Sequence, residues 1–567
     1  MKIKFLAILL CLVTVLSVFA GCQSKEIDEE ELNQEQSVRT AVSINMWVVT
    51  ENKVSAETEA LVEAAFNQVT KARFTTYVDL VFATEAEYNK LLDEKFADIE
   101  QAKKDAEEEE KRKKEEARSL KAAGITTLPV TTADPAETTP EETVLNEYGV
   151  VELKYPAIKD NQLDIVVVLG RERLNELVSK SYLTDISEYV SDTGLSKALT
   201  DYINPVYMNF TKIGQSATSA GKTYGIPNNH VIGEYTYLLI NKAMAAKYYV
   251  HENAVNDFAD CLSLIEDIKN NETIAPVKAP FDDYLTYFWG SDIVADGFSV
   301  LASNYPLTAK QTGSIGASNS TNVQLPINDV FTTKHTDHLV RMLNFAQNGY
   351  FAKNDTEEFG VGVVKGDYEL RFDYEDKYIV KVLKNPVATE DEIFESIFAV
   401  SSFSADVRRS MEVITLLNTT SELRNILQYG VEDVHYILND DGKVERLNND
   451  YMLDIEKTGN VFMAYPEENM SLKAWEYGKL QNTDSVIDIT LGFRPYFEKI
   501  DPAIFAQLFE LNAKFSDGIK ACANADELRA YIPEAKKELL ESPEYTAMRE
   551  ALLEQYKAWH TVFWPAQ

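Results

Sequence analysis

The sequence is short of positive charge, histidine and cysteine. Its 567 residues include 91 Asp and Glu but only 55 Lys and Arg, which gives a formal net charge of −36, and there are six His and four Cys. A nucleic acid needs a basic surface to displace its counterions, so this charge argues against a polynucleotide partner. Two of the cysteines, Cys261 and Cys522, lie in apolar helical patterns, which favours buried thiols over a disulfide.

Recognisable catalytic motifs are also missing. The chain has no GxSxG elbow, P-loop, HExxH helix or glycine fingerprint after a strand. His335 and His338 are the closest histidines, with Asp337 between them, but no third ligand is suggested nearby. We therefore predict no catalytic residues, no metal and no cofactor, and these absences favour a binding function.

Length and composition predict a large globular protein. Hydrophobic residues make up 45% of the chain and aromatic residues 11%, which is enough to form buried cores. A chain of 567 residues is too long for one ordinary core and suits two or three.

The beginning of the chain has the outline of a signal peptide. Two lysines precede Phe5–Phe19, fifteen residues without a charge, and two small residues then lead to Cys22. The apolar run is shorter than the roughly 20 residues that span a bilayer. Its end resembles the bacterial lipoprotein box, in which the cysteine thiol is acylated and becomes the new N-terminus, although Phe19 departs from the usual leucine. The resemblance implies a signal peptide at 1–21, a lipidated Cys22 and a flexible tether at 22–40; the alternative is a secretory peptide with an incidental cysteine.

The next segments alternate between strand and helix patterns. β-branched and apolar residues predict strands over Ala41–Val49, Arg73–Phe82 and Leu163–Leu169, and helical spacing predicts a helix over Ala56–Lys71. The unbroken Ile165–Val168 run is typical of a parallel strand that is buried on both faces. This order predicts an α/β lobe with a parallel sheet.

A long charged segment interrupts this lobe. A helix is predicted from Glu85 to Ala123, and its first part is amphipathic, whereas Glu100–Lys114 has only alanines as apolar residues and must be solvated. Ile125–Thr143 is rich in threonine and proline and predicts a disordered return. We interpret 99–146 as an insertion, which is either a tolerated surface arm or a spacer that contacts a partner.

Several motifs in the chain resemble those of one protein family. The first is Gly225–His230 followed by Glu234–Lys242, and the second is Leu163–Val166 with Gly170. The others are Leu417–Thr419, Leu423–Asn425, Tyr429–Tyr436 and Met463–Pro466. Together with the lipoprotein box, their order resembles the extracellular solute-binding proteins of ABC importers, in particular sugar-binding family 1 and a lipoprotein branch common in Gram-positive anaerobes.

The resemblance implies a two-lobed α/β fold of the type II periplasmic-binding-protein kind, with a long charged helical and disordered insertion in the first lobe. Two or three crossings would join the lobes, and the cleft between them would close on a ligand by a hinge motion. We place crossings at Tyr235–Ile240, Ile397–Ser402 and Gly430–Tyr436. The predicted divisions after the tether are 41–237 for the first lobe, 238–396 for the second lobe, 397–435 for the return to the first lobe, and 436–567 for a mostly helical region that completes both.

Candidate ligand-binding residues follow from position and chemistry. Carbohydrate clefts combine aromatic faces with planar polar side chains that match hydroxyl groups. Arg171 has two further possible roles, because a guanidinium can bind a carboxylate or phosphate or can form a structural salt bridge. Trp475 and Tyr477 are further candidates for the same cleft. The predicted ligand-binding set is Trp47, Gly170, Arg171, Asn228, Asn229, Trp289, Ser401 and Ser402.

The sequence therefore predicts a monomeric receptor, lipid-anchored on the extracellular face of the membrane, that captures a sugar or oligosaccharide and delivers it to the permease subunits of an ABC importer. One alternative is a surface lipoprotein enzyme that acts on polysaccharide and needs paired cleft carboxylates. The other is an adhesion lipoprotein that holds a partner through the charged arm. The ligand, the permease and the role of the arm cannot be read from the residues.

Overall fold

The computed structural model describes residues 40–122, 144–145, 151–279, 333–487 and parts of 503–559, with short gaps at 192, 204–206, 209–210 and 217–218. Cys22, Trp289, the predicted signal peptide and the predicted disordered return at 125–143 lie outside the described residues. Within the described part of the chain, no helix combines the length and the apolar character that crossing a membrane requires.

The secondary structure is mixed throughout. The strands are β1 (Val42–Thr50), β2 (Thr76–Thr84), β3 (Val144–Leu145), β4 (Val151–Glu152), β5 (Ile165–Val168), β6 (Lys212–Ser216), β7 (Ser219–Thr223), β8 (Ile226–Pro227), β9 (Tyr235–Asn241), β10 (Ala275–Val277), β11 (Phe359–Gly366), β12 (Tyr378–Lys384), β13 (Val387–Ala388), β14 (Ile397–Val400), β15 (Tyr436–Leu438), β16 (Val444–Arg446) and β17 (Val486–Ile487). The helices are α1 (Ala56–Phe74), α2 (Glu85–Ala122), α3 (Arg171–Ser179), α4 (Leu199–Tyr202), α5 (Lys242–Lys247), α6 (Leu262–Asn271), α7 (Thr333–Gln347), α8 (Leu370–Tyr374), α9 (Glu390–Ile393), α10 (Val407–Thr419), α11 (Ser421–Tyr429), α12 (Ala474–Asp484) and α13 (Ala525–Leu540). Short 3₁₀ turns lie at Glu252–Ala254, Phe258–Cys261, Ile455–Lys457 and Val461–Met463.

The first sheet has the strand order β2-β1-β5-β14-β8. β1 runs parallel to β2 and to β5, whereas β14 runs antiparallel to both β5 and β8. All four residues of β5 are buried, as its unbroken apolar sequence predicts for a central strand. The predicted α/β lobe is therefore confirmed. The sheet also contains an antiparallel strand, β14, which follows the second lobe in the sequence.

The second sheet has the order β10-β11-β9-β12 and buries both of its faces. One face packs against α6 and α7 through residues such as Leu238, Ile240 and Val361. The other face carries Tyr235, Tyr237 and further tyrosines. Near the end of the chain, α13 packs on α7 through Leu528 and Ile532, so this C-terminal helix lies on the second lobe.

The long helix α2 follows the prediction closely. It has 38 residues, and Tyr88, Leu92, Phe96 and Ile99 are buried against the first lobe. Residues 101–116 are exposed, and ion pairs such as Lys113 to Glu109 at 2.8 Å lie along this part. Because these i,i+4 pairs are exposed, solvent screens them and they add little to the stability of the helix.

The two remaining cysteines are not bonded to each other. Cys261 is buried in the second lobe, and burial raises the pKa of its thiol to about 12. Cys522 is half-buried rather than buried. His335 and His338 lie at the start of α7, and their side chains are outside the described residues.

Candidate functional site

The chain passes directly between the two sheets at two places, which we call the first crossing (228–234) and the second crossing (385–396). A further segment (474–487), which we call the third crossing, contacts both the first crossing and the second lobe through side chains of α12. Two of the predicted crossings are therefore wrong, because Tyr235–Ile240 is a buried strand of the second sheet and Ile397–Ser402 begins with β14 of the first sheet. Gly430–Tyr436 is not a crossing either, since Tyr436 pairs with Arg446 in a hairpin.

The first two crossings are tied to each other by backbone and side-chain hydrogen bonds. Asn228 N donates to Ser396 O at 3.0 Å, and Asn228 Nδ2 donates to Ser396 Oγ at 2.8 Å. Gly233 has a φ of +57°, and a Cβ there would lie 3.0 Å from Val387 N. Only glycine fits this turn without displacing the second crossing.

The third crossing is joined to the first by the side-chain amides of two α12 residues, Gln481, which is buried, and Asn482, which is half-buried. Ile232 N donates to Asn482 Oδ1 at 2.8 Å, and Asn482 Nδ2 donates to His230 O at 2.7 Å. Gln481 Nε2 donates to Ile232 O at 3.1 Å, while its Oε1 accepts from Tyr368 N of the second lobe at 2.8 Å. These side chains satisfy backbone groups that no sheet pairs, so the irregular segments keep a defined path between the lobes.

The carboxyl end of β5 meets the second crossing. Gly170 has a φ of +85° and donates to Phe394 O at 2.8 Å, and a Cβ placed on it would contact nothing within 4 Å. Arg171 Nη1 lies 3.0 Å from Glu390 Oε2, with its guanidinium 5.2 Å from the ring centroid of Phe394. Burial lowers the pKa of Arg171. Of the roles weighed for Arg171, the salt bridge is present.

The other predicted ligand-binding residues do not share one place. Asn229 lies beside Asn228 in the first crossing, where its Nδ2 donates to Tyr202 O at 2.8 Å. Trp47 is 8% exposed and packs its ring edge-on against Tyr88 in the core. The last two described residues of the set lie near the start of β5, whereas Gly170 follows its end, because β14 runs antiparallel to β5. They are Ser401, whose N donates to Asp164 O at 2.8 Å, and Ser402, whose Oγ donates to Ser181 O at 2.8 Å.

An aromatic platform, formed by Tyr368, Phe372 and Tyr477, joins the second lobe to the third crossing. The rings of Tyr368 and Tyr477 are stacked with centroids 5.1 Å apart, and the Arg371 guanidinium lies 3.8 Å from the centroid of Tyr368. Phe372 is 40% exposed. Tyr477 was among the sequence candidates, whereas Tyr368 and Phe372 were missed because nothing in the sequence separates them from core aromatics. Trp475 instead donates its indole N–H to Ala464 O at 2.8 Å.

A buried histidine meets two carboxyl groups at the same crossings. A ring nitrogen of His230 and one carboxyl oxygen each from Glu395 and Glu456 lie within 4.8 Å of one another, and we call these residues the crossing triad. Burial and the adjacent Glu395 raise the pKa of Glu456 to about 8, and burial lowers the pKa of His230. No sequence pattern indicates this cluster, because its members are far apart in the chain.

Glu392 in the second crossing gives stability a dependence on pH. Its Oε1 accepts from Gly233 N at 2.8 Å, while burial raises the pKa of the carboxyl from 4.5 to about 7. The folded state therefore binds more protons than the unfolded state between these values, and the free energy of unfolding falls as pH rises through this window. We expect Glu392→Gln, which keeps the acceptor, to match the wild type near pH 5 and to exceed it at pH 8 by on the order of 2 kcal/mol. Urea unfolding at both pH values measures this difference, and an equal difference at both would contradict it.

Comparison with known proteins agrees with this architecture. No protein-family model matches the chain. A carbohydrate ABC transporter substrate-binding protein of Streptococcus pneumoniae is 24% identical over 340 residues, which are 55% of this chain and 64% of the relative, so the match spans less than two thirds of the relative. The crystal structure of an N-glycan transport solute-binding protein from Streptococcus pneumoniae superposes with a TM-score of 0.51 at 17% identity and covers 91% of this chain and 98% of that one. The two-lobed fold of a solute-binding protein is thereby confirmed.

Proposed function

We propose that this chain is the solute-binding protein of an ABC importer, and that it captures a sugar or oligosaccharide and delivers it to the permease. The observation that carries the proposal is the pair of α/β lobes joined by the first and second crossings, a design that lets two rigid bodies close on a solute. Similarity to a carbohydrate substrate-binding protein supports the sugar class. The proposed work is binding, with no bond made or broken in the solute.

The first lobe offers a backbone surface and a positioned charge for the solute. Open space lies beside Gly170 at the end of β5, the edge where open α/β sheets bind ligands. Next to it, the salt bridge to Glu390 fixes the orientation of the Arg171 guanidinium and therefore the direction of its N–H donors. Hydroxyl groups of a sugar can accept from such donors, while the ordered guanidinium costs little entropy on binding.

The second lobe offers the aromatic platform. Stacked rings present apolar faces to the C–H groups of a sugar, and Phe372 is exposed enough to be covered by a ligand. We propose that the platform contributes stacking, and that Asn228 and Asn229 act mainly by shaping the first crossing, since both are buried. Trp289 remains a proposed ligand contact from outside the described residues.

The proposed location is the extracellular face of the membrane. On this proposal Cys22 carries the lipid anchor, and two or more acyl chains provide the double signal that stable anchoring needs. An anchored receptor stays beside its permease, which raises the effective concentration of loaded receptor at the transporter.

Thermal unfolding of the chain from Gln23 onward tests the proposal. We expect one class of sugar, in a screen of sugars, amino acids and peptides, to raise Tm, because a ligand at 100 times its Kd adds about 2.7 kcal/mol to the free energy of unfolding. Phe372→Ala should weaken binding of that sugar about tenfold, in line with about 1.4 kcal/mol for an exposed stacking ring. Leu447→Ala, which removes a similarly exposed apolar side chain just after the β15-β16 hairpin, is the matched control.

The screen also separates the alternatives. A sugar recovered unchanged supports the receptor, whereas a sugar that is consumed would make the protein an enzyme. Binding of peptides without any sugar would overturn the proposed solute class. Equal affinity in Phe372→Ala and the wild type would remove the aromatic platform from the ligand site.

A further inference from the structure

We propose that His230, Glu395 and Glu456, the crossing triad, bind a divalent transition-metal ion at the junction of the two lobes. The inference goes beyond solute capture, because it assigns a second binding site with a ligand of different chemistry. The three residues come from separate segments: His230 from the first crossing, Glu395 from the second, and Glu456 from the 3₁₀ turn Ile455–Lys457.

The spacing of the donor atoms suits an ion. They lie within 4.8 Å of one another. Donors at the usual 2.0–2.2 Å from a tetrahedral Zn²⁺ are about 3.4 Å apart. Small side-chain rotations therefore bring the three atoms into a common coordination sphere, and the fourth position stays open to water.

His230 is prepared to act as a metal ligand. Its ring is 4% exposed, and Nδ1 lies 3.1 Å from Asn228 O, so Nδ1–H donates to that carbonyl and the lone pair is left on Nε2. Nε2 is buried and has no hydrogen-bond partner among the described residues. A metal-bound histidine usually donates from one ring nitrogen to a backbone carbonyl and holds the ion with the lone pair of the other nitrogen. Without a cation, this buried acceptor is unsatisfied, which destabilises the folded state.

The two carboxyl groups also have no cation in the described part of the chain. The nearby Lys457 pairs with Glu85 at 2.8 Å and with Asp454 at 3.0 Å, and Arg171 pairs with Glu390. Glu395 and Glu456 are half-buried and in contact. If both carboxyl groups were ionised they would repel each other, and a divalent ion between them would offset this repulsion.

The chemistry of the three ligand atoms indicates which ions the site would prefer. One imidazole nitrogen with two carboxylate oxygens suits Zn²⁺, Mn²⁺ or another first-row divalent ion, whereas Ca²⁺ and Mg²⁺ prefer oxygen ligands only and more of them. Half-burial of both carboxyl groups leaves a path for the ion from solvent. A bound ion would link both of the first two crossings to the segment around Glu456 and so restrict how the lobes move.

Titration of the metal-stripped soluble chain, from Gln23 onward, with Zn²⁺ and separately with Mn²⁺ tests this proposal. We expect one equivalent to bind in calorimetry and to raise Tm. His230→Gln and Glu395→Gln should each weaken binding by at least about tenfold. His251→Gln changes an exposed histidine and Asp391→Asn an exposed acid of the same crossing, so both controls should bind as the wild type does.

The outcomes are decisive in either direction. Absence of one-to-one binding, unchanged affinity in both triad variants, or loss of binding in His251→Gln would overturn the site. Preference for Ca²⁺ over Zn²⁺ and Mn²⁺ would overturn the assigned class. If His230→Gln fails to fold by circular dichroism, Glu395→Gln and Glu456→Gln carry the test. Sugar binding is measured on the metal-free wild type, so failure of the metal site and failure of the receptor function are separate results.

Discussion

Replacing Asp164 by asparagine is expected to lower the free energy of unfolding by about 3 kcal/mol, although the two side chains have nearly the same shape. Asp164 is fully buried, and both of its oxygens accept two hydrogen bonds. Oδ2 accepts from Asn45 N at 2.9 Å and from Gln162 Nε2 at 2.7 Å, and Oδ1 accepts from Ser404 Oγ at 2.7 Å and from Ala405 N at 2.6 Å. Asparagine keeps one acceptor oxygen, so its NH₂ group would face either the N–H groups of Asn45 and Gln162 or the Ala405 N–H and the Ser404 hydroxyl.

The size of the effect follows from unpaired buried donors rather than from lost packing. A buried N–H left without an acceptor costs about 1–3 kcal/mol, and the remaining bonds lose the strength that the carboxylate charge gives them. Ser404→Ala, which removes one of the four donors and leaves the carboxylate intact, should cost about 1 kcal/mol. Urea unfolding measures both variants, and an equal midpoint for Asp164→Asn and the wild type would show that the four contacts contribute little.

The first lobe was predictable because its central strands, β1 and β5, are buried on both faces. Continuous β-branched runs such as Ile165–Val168 have few alternatives to a central strand, and β1 was predicted within one residue at each end. The start of β2 was less accurate, since Arg73 was assigned to the strand. In the structure α1 continues to Phe74 and is capped by Thr75 in the left-handed region, with a φ of 56°, a conformation that propensity does not indicate.

The crossings could not be located from the sequence for a different reason. The pattern of Tyr235–Ile240 correctly indicates a strand, but a strand pattern does not say which sheet it joins. The segments that do cross are irregular, and they are held by amides from α12, about 250 residues farther along the chain. No local signal links Gln481 to Ile232.

The predicted ligand-binding set shows the same limit. Gly170 and Ser401 each follow a buried strand, so both were expected at one cleft. β14 is antiparallel to β5, with Ile397 opposite Val168. Gly170 therefore lies at the carboxyl end of β5 and Ser401 beside its amino end. Strand direction is set by the path of the intervening second lobe, which a single sequence does not reveal.

Arg424→Ala is expected to have a still larger effect on stability, of about 3–5 kcal/mol, and to reach the crossing triad as well. Arg424 is completely buried on α11, and burial lowers its pKa to about 10, so it stays charged at neutral pH. Nη1 donates to Gln428 Oε1 at 3.1 Å and Nη2 to Ile455 O at 2.6 Å. Truncation therefore leaves a cavity beside Glu456 and removes the shorter hydrogen bond to the Ile455 carbonyl, which keeps only the one from Thr458 Oγ1 at 3.4 Å.

Arg424→Met separates packing from hydrogen bonding. It fills most of the volume and removes the buried charge, so we expect it to recover part of the stability lost in the alanine variant. Neither variant can donate to the Ile455 carbonyl, so both should weaken Zn²⁺ binding relative to the wild type. Asp164→Asn changes a residue at the amino end of β5, away from the crossing triad, and should not weaken it. Urea unfolding and Zn²⁺ titration of the three variants measure these effects. Wild-type Zn²⁺ affinity in both Arg424 variants would mean that the turn carrying Glu456 is positioned by its other contacts, such as the bond from Ser396 Oγ to Glu456 O at 2.6 Å.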